Sequence, residues 1–182
     1  MLPKGQNTRK CALQYKYCAA KFGARTFQRG IAMDQGANPT DQLHRYYFED
    51  LEGGMMDVFA KTITDADIIT FAEVSGDTNP LHLSNEFASE TIFEGCIAHG
   101  MLTASFISTV IGTKMPGPGC VYVSQNLRFK APVRAGDTVT TTCVVTKLIP
   151  EKRFTELSTV CTVAGKPVLE GEATIKVPSR IK

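Results

Sequence analysis

The spacing of apolar residues changes along the chain, from helical in its middle to alternating in its last third. Ile68, Ile69, Phe71, Ala72 and Val74 recur at helical intervals behind Thr64 and Asp67. That pair is a capping box with Asp in place of Glu, so a short amphipathic helix is expected to run from there into Gly76. Upstream, apolar and aromatic residues flank Gly53 and Gly54, which predicts an entry segment and a first strand over Met56 to Lys61. Ser84 can cap a second short helix through Phe87 and Ala88, and the chain resets near Gly95. Residues 98–112, AHGMLTASFISTVIG, place apolar and small residues all round a helical wheel. A helix without a polar face is buried, with Ala104, Ser105 and Ser108 allowing close approach and Gly112 as terminator.

After MPGPG at 115–119 the period becomes two, and Val121, Val123, Leu127 and Phe129 fall on one face of a strand that PVRAG at 132–136 closes. Strand-like runs rich in Val and Thr follow near 137–148, 153–163 and 167–177. In the last, Leu169, Ala173, Ile175 and Val177 point inward, Glu170, Glu172, Thr174 and Lys176 outward, and Gly171 leaves room on the inner face for the buried helix. Successive strands joined by turns after one apolar helix predict an α+β domain, an antiparallel sheet packed on that helix.

Between these elements lies SGDTNPLH at 75–82. Asp77 and His82 are five positions apart, which neither a helix nor a strand brings onto one face. Pro80 removes a backbone donor and drives Asn79 out of the helical region, so an irregular turn is expected, in which a carboxylate and an imidazole can converge on one small molecule. Gly, Asp, Asn and Pro also form ordinary turns through local backbone bonds, and that reading stands beside the chemical one. His99 and Gly100 open the apolar helix, where free N–H groups and the positive end of the helix dipole make an oxyanion site. His99 itself reads equally as a packing and capping residue.

Composition narrows the alternatives. The chain of 182 residues is long enough for one core, and 20 basic against 18 acidic residues give no nucleic-acid signature. Six cysteines show no CxxC pair or metal-ligand spacing and read as reduced intracellular thiols; Asp77 and His82 alone supply too few ligands for a metal. No apolar run reaches the roughly 20 residues of a membrane span. Residues 1–33 contain bases but no acid, as in a mitochondrial transit peptide, a translated upstream segment with Met33 as the true start, or an RNA-binding arm. A linker over 34–42 completes a leader of residues 1–42, and the folded domain is expected over 43–182, with His44 given no role.

Taken together, the pieces resemble the MaoC-like (R)-specific enoyl-CoA hydratases over Tyr46 to Pro178. The resemblance rests on Phe71 through His82 with its Gly-Asp-x-Asn-Pro-apolar-His, on AHGM at 98–101, on LRFKAPVRAGD at 127–137 and on GEA at 171–173. It implies a single hot dog domain, a sheet wrapped around a long central helix, and the interconversion of trans-2-enoyl-CoA and (R)-3-hydroxyacyl-CoA. It further implies Asp77 and His82 as the catalytic pair, Asn79 orienting them, the Gly100 N–H as oxyanion donor and Ser108 in support. No cofactor or metal is implied beyond the acyl-CoA substrate, and the expected state is a homodimer in the cytoplasm, without nucleic-acid or membrane partners; the mitochondrial matrix follows if residues 1–33 are a transit peptide. Lys130 and Arg134 are candidates for the coenzyme A phosphates, against the ordinary reading as solvated bases. A hot dog thioesterase, which directs water at the carbonyl, and a non-catalytic acyl-thioester-binding module are the competing functions.

Overall fold

The computed structural model describes residues 45–181. The basic leader, the linker, His44 and the expected boundary at 42/43 lie outside them. A 3-10 turn at Phe48–Asp50 precedes β1 (Met56–Thr62), α1 (Asp65–Ser75), α2 (Pro80–Leu83), α3 (Asn85–Ser89) and α4 (Gly100–Thr113). Then come β2 (Val121–Phe129), β3 (Thr138–Ile149), β4 (Phe154–Val163) and β5 (Lys166–Lys176). The strands form one antiparallel five-stranded sheet in the order β1-β3-β4-β5-β2, the expected α+β arrangement.

The sheet and α4 share the core. Val139, Thr141, Cys143 and Val145 of β3 and Thr155, Leu157, Thr159 and Cys161 of β4 are buried at alternate positions, as a half-covered antiparallel sheet requires. Against them lie Leu102, Thr103, Phe106, Ile107, Val110 and Ile111, two adjacent residues per helical turn. Each buried aliphatic or aromatic side chain there contributes about 1.5–3 kcal/mol of transfer free energy. The β5 pattern holds as read, with Leu169, Ala173, Ile175 and Val177 buried. Pro167 sits where the β4 register shifts, a bulge of the kind that tolerates proline in a sheet.

Five local expectations are revised. Among the described residues the helix α4 is covered on one side only: Met101 is 57 % exposed, and Ser105 and Ser108 follow it on the same open stripe. Sequence periodicity registers the absence of charge on that stripe, not whether anything covers it. Gly112 does not end the helix, which continues through Thr113; the terminal carbonyls of Val110 and Ile111 are instead met by N–H groups of Lys114, Met115 and Gly117. In α1 the capping box is present, but Val74 is 82 % exposed while Ile68 and Ala72 supply the buried face.

The other two concern β2 and its neighbour. The β2–β5 register shifts between Tyr122 and Ser124, leaving Val123 as an inserted residue. One extra residue inverts facing, so Tyr122, paired with buried Ile175, shares a face with Leu127 and Phe129, whereas Val121 pairs with outward Lys176. Gly171 makes room for β2 and not for the helix: a Cβ there would lie 2.0 Å from the Asn126 carbonyl oxygen and 3.0 Å from the Gln125 side-chain nitrogen.

Candidate active site

The residues from α1 to the start of α4 converge because each turn is locally satisfied. Thr64 and Asp67 start α1 by exchanging backbone and side-chain bonds of 3.2 and 2.9 Å. Gly76 ends it in the left-handed region at φ 76°, where a side chain would be strained. Asn79 then stands at the N-cap of α2, its Oδ1 accepting from the Leu81 N–H at 3.1 Å, with Pro80 at the first helical position. The expected irregular turn is therefore shorter than read, and His82 stands on a single turn of helix. Ser84 caps α3 as anticipated, accepting from the Phe87 N–H.

A cleft of about 470 Å³, mainly apolar in lining, receives Asp77, His82, His99 and Gly100 together with Phe129, Lys130, Val133 and Leu169. Asp77 is exposed, its Oδ1 accepting only from the Asn79 N–H at 3.3 Å. His82 is half-buried, with Nδ1 2.9 Å from the Ile97 carbonyl. A carbonyl can only accept, so Nδ1 carries the proton and Nε2 keeps its lone pair. Burial disfavours the imidazolium and holds the His82 pKa below its ordinary value; His99 acts in the same sense, and the Ile97 carbonyl and Asp77 oppose it.

The N-terminus of α4 faces the same cleft. Leu102 and Thr103 donate to the His99 carbonyl, leaving the N–H groups of Gly100 and Met101, which both line the cleft, without intrahelical partners. Gly100 also makes room for a neighbour: a Cβ would sit 2.6 Å from the Phe129 ring.

His99 is the member that residue types and spacing left undecided. It is 1 % exposed, and its Nε2–H donates to the Asp77 backbone carbonyl at 2.9 Å, fixing the main chain that carries the carboxylate. Its ring lies 3.8 Å from that of His82 and 5.0 Å from that of Phe71. It makes no side-chain cap bond to α4, and its Nδ1 is buried without a partner. The available signal was its place beside Gly100 in a helix start that must face the turn. Asp77, His82 and His99 each bring a ligand-type atom within 4.8 Å of the others. The two imidazoles, however, lie face to face with planes 34° apart, so their in-plane lone pairs run side by side, poorly placed to chelate one ion.

Among the remaining candidates, Asn79 and Ser108 lie outside the cleft lining, Asn79 in its capping role and Ser108 on the open stripe of α4. Lys130 lines the cleft and pairs with Glu170 at 3.3 Å. Arg134 turns inward and donates to the carbonyls of Cys96, at 3.0 Å, and Phe93. Its exposure is intermediate, and both terminal guanidinium nitrogens are engaged within the fold.

Residues 52–168 match the model of the MaoC like domain. Over 140 residues, 77 % of this chain and 97 % of the relative, the sequence is 57 % identical to an (R)-specific enoyl-CoA hydratase of Rhodospirillum rubrum. It is 50 % identical over 139 residues to a 3-hydroxybutyryl-CoA dehydratase of Methylorubrum extorquens, covering 76 % of this chain and 88 % of that one. The solved (R)-hydratase from A. caviae involved in PHA biosynthesis superposes with a TM-score of 0.69 at 41 % identity, over 71 % of this chain and 99 % of that one.

Proposed function

Because the chain belongs to the MaoC-like domain family, we propose that it is an (R)-specific enoyl-CoA hydratase, a hydro-lyase interconverting trans-2-enoyl-CoA and (R)-3-hydroxyacyl-CoA. The observation that carries this reading is the convergence of a carboxylate, an unprotonated imidazole nitrogen and a free helix N-terminus on one apolar cleft. Water addition needs those three functions: a proton acceptor, a second proton-exchanging group and a donor for the developing enolate oxygen.

In this mechanism the acyl thioester enters the cleft with its carbonyl oxygen at the Gly100 N–H. A water held by His82 Nε2 gives a proton to the Asp77 carboxylate as its oxygen bonds to C3. The C2=C3 electron pair moves onto C2 and the thioester oxygen, and a proton returned to C2 completes the hydration. His82 Nε2, unprotonated at the start, relays the proton taken up by Asp77 to C2, so both groups end as they began, with Ile97 fixing the His82 tautomer. Asn79 contributes by capping α2. The residues of the site supply each of these functions from side chains and backbone alone.

The homodimer reading is supported by β2, the edge strand of the sheet among the described residues, where Val121 is 57 % and Phe129 53 % exposed. An unpaired apolar edge of this kind favours pairing with a second copy. Sedimentation at the mass of a single chain would contradict it. No helix among the described residues is long and apolar enough to cross a membrane. The bacterial relatives favour a cytoplasmic site, which N-terminal sequencing of the native protein checks by showing whether residues 1–33 are retained or cleaved as a transit peptide.

Crotonyl-CoA tests the activity. Loss of the enoyl absorbance without thiol release is the expected result. Thiol release would transfer the chain to the thioesterases, and no change in either signal would leave only thioester binding.

A further inference from the structure

Arg134 is the cation that the sequence offers to coenzyme A and that the fold directs elsewhere. Its own turn is closed by bonds between Arg134 and Asp137, with the Arg134 N–H donating to Asp137 Oδ2 at 2.8 Å and the Asp137 N–H to the Arg134 carbonyl at 3.1 Å. The side chain leaves that turn toward the segment from Phe93 to Ala98, where its two terminal nitrogens donate to the Phe93 and Cys96 carbonyls. Gly95 at φ 148° lets the segment pass; a Cβ there would lie 3.2 Å from the guanidinium.

Two consecutive peptide units of this segment are held at both ends. In the first, the Cys96 carbonyl accepts from Arg134 and the Ile97 N–H donates to the Leu81 carbonyl at 3.2 Å. In the second, the Ile97 carbonyl accepts from His82 Nδ1 and the Ala98 N–H donates to the Val133 carbonyl at 2.7 Å. A peptide unit is planar, so without Arg134 the first unit is held only at its Ile97 N–H and its carbonyl end can turn, next to the unit whose carbonyl selects the His82 tautomer and joined to it through the φ and ψ of Ile97. Two residues beyond Ala98 stands Gly100. The segment is thus a splint between the 132–136 turn and α2, and among the described residues a charge-assisted guanidinium fork is its side-chain fastening on the turn side.

We infer that Arg134 is a positioning residue for the hydration: by fastening the Phe93–Ile97 backbone it sets the Ile97 carbonyl that orients His82 and the approach of the chain to the Gly100 donor. This inference rests on the hydratase reading. It differs from phosphate binding in what it spares, because a group that never meets the nucleotide leaves substrate affinity alone.

Arg134→Met and Arg134→Lys, assayed in the full chain with crotonyl-CoA and with crotonyl-pantetheine, separate the two. Expected is a fall in kcat of about 10- to 100-fold, the scale of a misplacement of about 1 Å at the reacting groups. KM for crotonyl-CoA should stay within about threefold of the wild-type value, and the kcat loss should be equal for the substrate lacking the nucleotide. Millimolar guanidinium should restore part of the lost kcat to Arg134→Ala, which methylammonium should not. Nitrogen-15 spectra should show His82 as the Nδ1–H tautomer in the wild type and as a mixture in Arg134→Lys, a readout independent of turnover. An unchanged tautomer with unchanged kcat, or a loss confined to KM for the CoA substrate, overturns the inference. Wild-type inactivity on crotonyl-CoA would instead refute the hydratase reading while the tautomer measurement still decides the role of Arg134.

Discussion

Replacing Gly100 by Ala tests whether the free end of α4 is held to sub-ångström tolerance. Position 100 is outside the left-handed region and Ala is a good helix former, so the backbone itself does not object. The cost comes from Phe129 alone: the added carbon would stand 2.6, 3.0 and 3.1 Å from three atoms of its ring. Carbon atoms settle at about 3.5–4.0 Å, so the ring and the helix start must part by about 1 Å. A displacement of that size at the donor costs about 100-fold in rate, or about 2.7 kcal/mol of transition-state stabilisation, which is the scale of losing one oxyanion donor. The assay is kcat for crotonyl-CoA hydration, with thermal unfolding to show that the fold persists. The double variant Gly100→Ala with Phe129→Leu should recover most of the loss, since Leu frees the space that the added methyl needs. Near-wild-type turnover in Gly100→Ala alone would mean that the half-exposed ring swings aside and that the glycine is not setting the donor.

Other expectations follow from the same geometry. Asp77→Asn and His82→Ala should each lower kcat by orders of magnitude while unfolding temperatures change little, because both groups lie in an exposed or half-buried turn; near-normal activity in either removes that residue from the mechanism. The acid limb of kcat/KM should have its midpoint below pH 6.5, since burial keeps the His82 imidazolium disfavoured and activity is lost only as pH falls through that depressed value; a midpoint above 6.5 contradicts this assignment. Gly171→Ala should destabilise by about 1–3 kcal/mol, because its Cβ would meet the Asn126 carbonyl at 2.0 Å, whereas Gly112→Ala, which meets nothing, should be neutral or stabilising. Chemical denaturation of both variants checks the contrast.

Local rules made much of the fold legible. The Thr64–Asp67 box, the Ser84 cap and the alternation of β5 each depend on residues within a turn or two of one another, and each is present. What escaped depends on a second segment. The facing of Val121 is set by a bulge visible only against β5, and the neighbour of Gly171 is β2 because the sheet order puts it there. The inward course of Arg134 needed the position of Phe93–Ala98, which no periodicity reports. At the site, Asp77, His82 and Gly100 were legible because a turn and a helix start are sequence-local. His99 was not, because its meaning lies in a ring stacked on it from α2 and in a carbonyl 22 residues earlier.

The groups proposed to move protons or hold charge all come from one stretch of 24 residues, Asp77 to Gly100, while Phe129, Val133 and Leu169 on the facing wall come from the sheet half of the chain. The reacting groups therefore come from one part of the gene, and a large share of the cleft's shape from another. A library randomised at these wall positions with Arg134 held fixed would vary which acyl groups fit while keeping the same reacting groups, so selectivity can be engineered with the chemistry inherited.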